Sequence, residues 1–159
     1  MVTYDTPGTY DVSLTVGNGS QTQSATQPQY VKVLPATGMV LPLAEGFEAV
    51  NSLPSDDWQV NDENSDGTFA LSTEAAYSGS HSVRLHNASA NNDRVDELFS
   101  NTIDASLDPP VTMSFRYAFA RRISSNNDAL RIYLSLDCGE SWSLRRTLLT
   151  DALVTAPVF

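Results

Sequence analysis

Three oxygen-bearing side chains stand at alternate positions ahead of a glycine: Asp62, Asn64 and Asp66 before Gly67. Hard oxygen donors spaced in this way converge when the chain turns at the glycine, which is how an EF-hand-type calcium loop begins. Phe69 occupies the place where such loops carry an apolar residue. The closing bidentate glutamate is due at position 73, where Thr73 stands, with Glu74 one residue late. The metal reading is therefore calcium held through Asp62, Asn64 and Asp66. The same residues also make an ordinary solvated turn, and that reading stays open.

A second spacing carries a local mechanism. Ser135-x-Asp137-x-Gly139-x-Ser141-Trp142 matches the Asp-box of sialidase-type propellers. Physically it describes a hairpin: the aspartate bonds amides across the turn, the glycine permits the bend and the tryptophan packs beneath. Propellers repeat the motif once per blade, and here it occurs once, so a structural turn is favoured over glycosidase chemistry. No pair of carboxylates stands out as acid and nucleophile.

Other reactive residue types give less. His81 and His86 are five apart on one expected strand and so lie on opposite faces, unable to share a metal. The chain has no His-Glu-x-x-His and no Gly-x-Ser-x-Gly, which removes a zinc protease site and a nucleophile elbow from this stretch. Cys138 is the single cysteine and has no basic sequence neighbour to lower its pKa. Trp58, Tyr77, Tyr117, Tyr133 and Trp142 are candidates for stacking on sugar rings, with core packing favoured for Trp58, Tyr117 and Trp142. Tyr133 falls on the wetter row of its strand and is the best ligand candidate among them. No catalytic residue is assigned.

The elements that must position these residues are strands. Val111, Met113, Phe115, Tyr117 and Phe119 alternate with Thr112, Ser114, Arg116 and Ala118. Leu130, Ile132, Leu134 and Leu136 alternate with Arg131, Tyr133 and Ser135. Period-two patterns put an apolar row on one face, so two half-buried strands of one sheet are expected here. Earlier, Tyr10, Val12, Leu14 and Val16 alternate in the same way, and Tyr30–Leu34 reads as a further strand. Gly46–Val50 reads as a short strand, followed by strands at 58–60, around Phe69 and Leu71, and at 81–85. Pro35–Pro42, with two prolines and a glycine, reads as a linker. Many short alternating runs divided by Gly, Pro, Asn and Asp predict an all-β antiparallel sandwich.

Composition narrows the partners. Nineteen acidic against nine basic residues give a net charge of −10, and residues 35–83 contain no Lys or Arg. Such a field repels phosphate backbones, so nucleic acid is not an expected partner. No apolar run is long enough to span a membrane, and no stretch at the start reads as a signal peptide. Asn18-Gly-Ser20 and Asn87-Ala-Ser89 are glycosylation sequons, relevant only in a eukaryotic secretory route.

Two stretches resemble known families. Tyr4-Asp-Thr-Pro-Gly-Thr-Tyr-Asp-Val-Ser-Leu-Thr-Val16 resembles the late strands of a PKD domain, which run Y-x-x-P-G-x-Y-x-V-x-L-x-V. The similarity covers about a fifth of the chain and half of such an Ig-like domain. Without its other strands this half is expected to leave an apolar face and a sheet edge open. Farther on, Glu45-Gly-Phe-Glu48, Leu53-Pro with Trp58, Tyr77–Ser80, Asp96–Ser100 with Ile103-Asp104, Met113–Ala120 and Leu130–Trp142 follow in an order similar to MAM-like, choice-of-anchor J jelly rolls. The resemblance implies residues 1–34 as part of a PKD domain, 35–44 as linker and 45–159 as a jelly roll, with both domains expected to be cut short. It implies a secreted bacterial setting, such as a pappalysin-type (cytophagalysin) metalloprotease parent. It also implies a structural calcium site at Glu48, with the Tyr77–Ser80 turn offering a carbonyl; the other reading of Glu48 is a strand residue facing water.

The expected function is accordingly a non-catalytic, extracellular accessory module of a multidomain secreted or cell-surface protein. Its expected partners are a protein or polysaccharide surface. The alternatives are a carbohydrate-binding module of a glycoside hydrolase and a sialidase-like fragment.

Overall fold

The computed structural model describes residues 2–62, 67–86, 94–106 and 110–156. Among them the chain is all-β: strands dominate, and the sole helix is a four-residue turn, Thr150–Leu153 (α1). The strands pair as five two-stranded ladders, and no ladder is wider among the described residues.

The first ladder is a ribbon of β1 (Gly8–Gly17) and β2 (Thr22–Val33), antiparallel. Its turn is closed by Asn18, whose Oδ1 accepts the Ser20 and Gln21 amides at 3.1 and 2.9 Å. The register shifts between Tyr10 and Val12. There Pro28 has no amide to give the ladder, Gln29 takes a positive φ of 51°, and the Gln29 amide turns to Asp11 Oδ1 at 2.8 Å. β2 thus begins well before the Tyr30 start read from the sequence. Leu14, Val16 and Tyr30 are exposed, so the ribbon's apolar side is open.

The stretch read as a linker carries a strand. β3 (Met39–Val40) pairs in parallel with β8 (Ile103–Asp104). Only a residue without a Cβ fits just before it: a methyl at Gly38 would lie 2.5 Å from the Asp104 nitrogen. β4 (Trp58–Asp62) pairs with β7 (Asp96–Ser100), and β5 (Ala70–Ser72) with β6 (Ser82–Arg84), both antiparallel. Lys32 ties the ribbon to this region: its Nζ donates to Val60 O at 2.5 Å and lies 4.5 Å from the Phe99 ring centre. Burial, opposed by nearby Glu97, lowers the Lys32 pKa.

β9 (Ala129–Leu134) and β10 (Ser143–Leu149) form the last ribbon. Leu148 on β10 and Leu153 on α1 are the buried hydrophobic residues among those described.

Two expected strands are corrected. Residues 111–119 form no ladder, and Val111, Met113, Phe115 and Tyr117 are exposed, Met113 at 67%. Toward its end the segment is held by the Phe119 carbonyl, which accepts the Thr155 and Ala156 amides at 2.9 and 3.2 Å, and by the Tyr117 hydroxyl, which donates to Ala152 O at 3.2 Å. β9 instead takes its neighbour through a short hairpin, where closing the loop costs least entropy. Residues 46–50 are also not a strand. Phe47 has a φ of 61°, its amide donates to Glu45 Oε1 at 2.5 Å, and Val50 N donates back to Phe47 O at 3.4 Å. A side-chain acceptor, Glu45, and a turn carbonyl, Phe47 O, have captured amides that a ladder would have used.

Candidate functional site

Glu48 is the most densely bonded side chain of the described residues that the sequence singles out. The bend at 46–50 projects it onto the turn before β6. There Oε1 accepts the Ser80 and His81 amides, each at 2.8 Å, and Oε2 accepts the Ser80 hydroxyl and His81 Nδ1, each at 2.9 Å. Four donors match the roughly four lone-pair sites of a carboxylate. An ionised carboxylate only accepts, so Nδ1 carries the ring proton in this pair. The His81 side chain foremost, then the His81 and Ser80 amides, bring the Glu48 pKa down from 4.5 to about 2. Gly79 makes the approach possible: its φ is +70°, and a methyl there would overlap the Glu48 carboxylate.

This arrangement brings Glu48 to the 77–80 turn, but through N–H and O–H donors rather than a carbonyl. With its oxygens facing those donors, Glu48 as placed does not fit a calcium ion. Among the described residues no three His, Cys, Asp or Glu side chains gather as a metal-ligand group. Of the calcium loop, Asp62 ends β4 and its Oδ2 accepts the Gly67 amide at 3.0 Å. Asn64 and Asp66 lie outside the described residues.

The Ser135–Trp142 stretch builds the hairpin between β9 and β10. Asp137 Oδ1 accepts the Ser141 amide at 2.8 Å and the Ser135 hydroxyl at 2.7 Å, and Oδ2 accepts the Ser141 hydroxyl. Ser135 Oγ in turn accepts the Gly139 amide at 2.7 Å. The Ser141 hydroxyl foremost, then the Ser135 hydroxyl and the Ser141 amide, hold Asp137 down from 3.8 to about 2. Cys138 and Gly139 both take positive φ, 57° and 92°. Both acids whose pKa falls furthest are thus kept ionised by turns they close, a state suited to holding backbone and not to giving up a proton near neutrality.

Tyr133 sits on β9 opposite Leu144. Tyr133 is 47% exposed, and Trp142, just before β10, is 51% exposed. Trp142 was expected to pack beneath the turn; it lies half open, with its ring edge 3.7 Å from where a Gly139 Cβ would be. Trp58 is partly covered: its ring lies 5.2 Å from Phe47 and its Nε1 donates to Glu45 Oε2 at 3.2 Å. Tyr77 is exposed, with the Arg116 guanidinium 4.9 Å from its ring centre.

Sequence reasoning missed the donor role of Ser80 and His81. The signal lay in Gly79-Ser80-His81, a turn glycine followed by two side chains able to donate. It also missed Asn101, whose Nδ2 donates to Asp56 O at 2.6 Å and whose amide donates to Asp57 O at 2.8 Å. No family model, curated protein or solved structure matches the chain. No helix among the described residues is long and apolar enough to cross a membrane.

Proposed function

We propose that the chain is a non-catalytic, extracellular β module of a larger secreted or cell-surface protein, serving adhesion, spacing or substrate capture on a protein or polysaccharide surface. The ribbons are read as parts of β-sandwiches, a PKD-like half at 1–34 and a jelly-roll type at 45–159. The observation that carries this reading is the amount of apolar and aromatic side chain left exposed. Leu14, Val16 and Tyr30, then Val111, Met113, Phe115 and Tyr117, then Tyr133, Trp142 and Leu144 are all exposed. Apolar surface on this scale marks sites of contact with other molecules. The two strongly acidic carboxylates support the same reading, since each is engaged in closing a turn.

A second reading, a carbohydrate-binding module, is favoured by the exposed rings of Tyr133 and Trp142, which suit stacking on sugars. The experiment that tests both is co-sedimentation of the chain with cellulose, chitin and gelatin. Retention on gelatin supports the protein-surface reading. Retention on a polysaccharide that Tyr133→Ala abolishes supports the carbohydrate one. Hydrolysis of a glycoside panel by the purified chain, with no retention anywhere, would overturn both. Calcium belongs to the proposal through the 62–66 loop alone. A ligand that prefers the folded state raises the melting temperature, so millimolar calcium is expected to raise it relative to chelator, and an unmoved transition removes the ion.

A further inference from the structure

Nine basic residues face nineteen acids, yet the cations are not evenly matched. Arg84 pairs with Glu74, and Arg121 with Asp151. Lys32 is taken by Val60 O and the Phe99 ring, and Arg116 lies over the Tyr77 ring. Arg94 and Arg122 are engaged as well. The other three, Arg131, Arg145 and Arg146, are exposed and have no ion-pair, hydrogen-bond or ring partner among the described residues. All three belong to the β9–β10 ribbon, whose strands hold no carboxylate. The turn between the strands carries Glu140 and Asp137, and Asp137 is already occupied by Ser135 and Ser141.

The register sets what surrounds these cations. Arg131 and Tyr133 are two apart on β9, so their side chains share one face. Across the ribbon Tyr133 stands opposite Leu144, and Arg131 opposite Thr147. Tyr133 and Leu144 are both exposed. This face therefore sets an aromatic ring and an aliphatic side chain beside an unpaired guanidinium. Arg145 is the extra residue of the bulge between Leu144 and Arg146, next along the strand from Leu144.

We propose that this ribbon face binds an anionic polysaccharide, a chain of sugar rings bearing carboxylate or sulfate groups. Tyr133 would stack on a sugar ring. Arg131 and Arg145 would pair with the anionic substituents, which a guanidinium fork meets bidentately. Charge complementarity then selects an acidic glycan over a neutral one, which would leave the guanidinium groups unmatched. The chain's acidic excess opposes such a ligand at long range, but salt confines charge effects to about 8 Å under physiological conditions. A ligand in contact with the ribbon meets the ribbon's own cations first. The inference rests on the carbohydrate-binding reading above and names its ligand class.

The test is affinity electrophoresis of the intact chain in gels carrying polygalacturonate, chondroitin sulfate or hydroxyethyl cellulose, with polyglutamate as a charge control. Polygalacturonate or chondroitin sulfate is expected to retard the chain, and the one that does so assigns the anion as carboxylate or sulfate. Added salt is expected to weaken the retardation. The double variant Arg131→Gln/Arg145→Gln, exposed at both positions, is expected to keep the melting temperature and lose at least about tenfold in affinity. Tyr133→Ala is expected to weaken the same retardation. Retardation by hydroxyethyl cellulose alone, abolished by Tyr133→Ala, would overturn this inference and leave the carbohydrate-binding reading standing. No retardation by any polysaccharide would overturn both. Equal retardation by polyglutamate would also overturn the inference, reducing the ribbon to a patch of charge, and so would unchanged binding by the double variant.

Discussion

At the scale of single residues, Glu48 shows how an exposed carboxylate acquires a fixed role. Its four donors come from two consecutive residues, Ser80 and His81. Its folded pKa of about 2 lies below the ordinary 4.5, so the stability it adds is present above the unfolded value and disappears as pH falls toward the folded one. Asp137 follows the same sign, from 3.8 to about 2. The melting temperature is therefore expected to drop as pH is lowered from about 5 to about 2. Glu48→Gln should show a shallower drop, its curve meeting the wild type at the acid end; parallel curves would deny the linkage. Gly79 gives a second prediction. An alanine there meets both a left-handed backbone and the carboxylate it cradles, and is expected to destabilise by about 1–3 kcal/mol in urea denaturation. Both partners of this contact were legible as residues, because Glu48 and the 77–80 turn each drew notice in the sequence. Their mode of contact was not, since nothing local tells whether a turn will offer a carbonyl or its amides.

At the scale of elements, legibility follows the length of chain needed to close the contact. The β9–β10 hairpin was readable because Ser135, Asp137, Gly139 and Ser141 supply turn and bonds within eight residues. The segment 111–119 was not, although its alternation is as regular. Period two reports that a strand would have one apolar face; it does not report a neighbour. The difference is measurable at Met113. A half-buried strand position would be damaged by a charge. At 67% exposure, Met113→Lys is expected to leave the unfolding free energy within about 0.5 kcal/mol, while reducing binding of a hydrophobic dye. A larger loss in denaturant titration would restore the buried-strand assignment.

At the scale of the whole molecule, the all-β class was readable from the succession of short alternating runs. The small extent of the closed core was not, because composition counts apolar residues without saying which meet one another. Among the described residues Leu148 and Leu153 alone are buried hydrophobics, and no side chain is enclosed completely. Stability must then concentrate where β10 meets α1. Leu148→Ala is expected to cost about 2–5 kcal/mol, a large share of the roughly 5–15 kcal/mol of an ordinary domain. A smaller loss in thermal or urea unfolding would mean that the open faces contribute more than their exposure indicates.

The crossing at Gly38 has a temporal consequence. It joins β3 to β8 across most of the intervening chain, whereas the two ribbons at either end zip from tight turns. Closing so wide a loop must wait until the nearer pairings have formed. The crossing is therefore a late latch, weighing on how long the folded chain persists and little on how quickly it is reached.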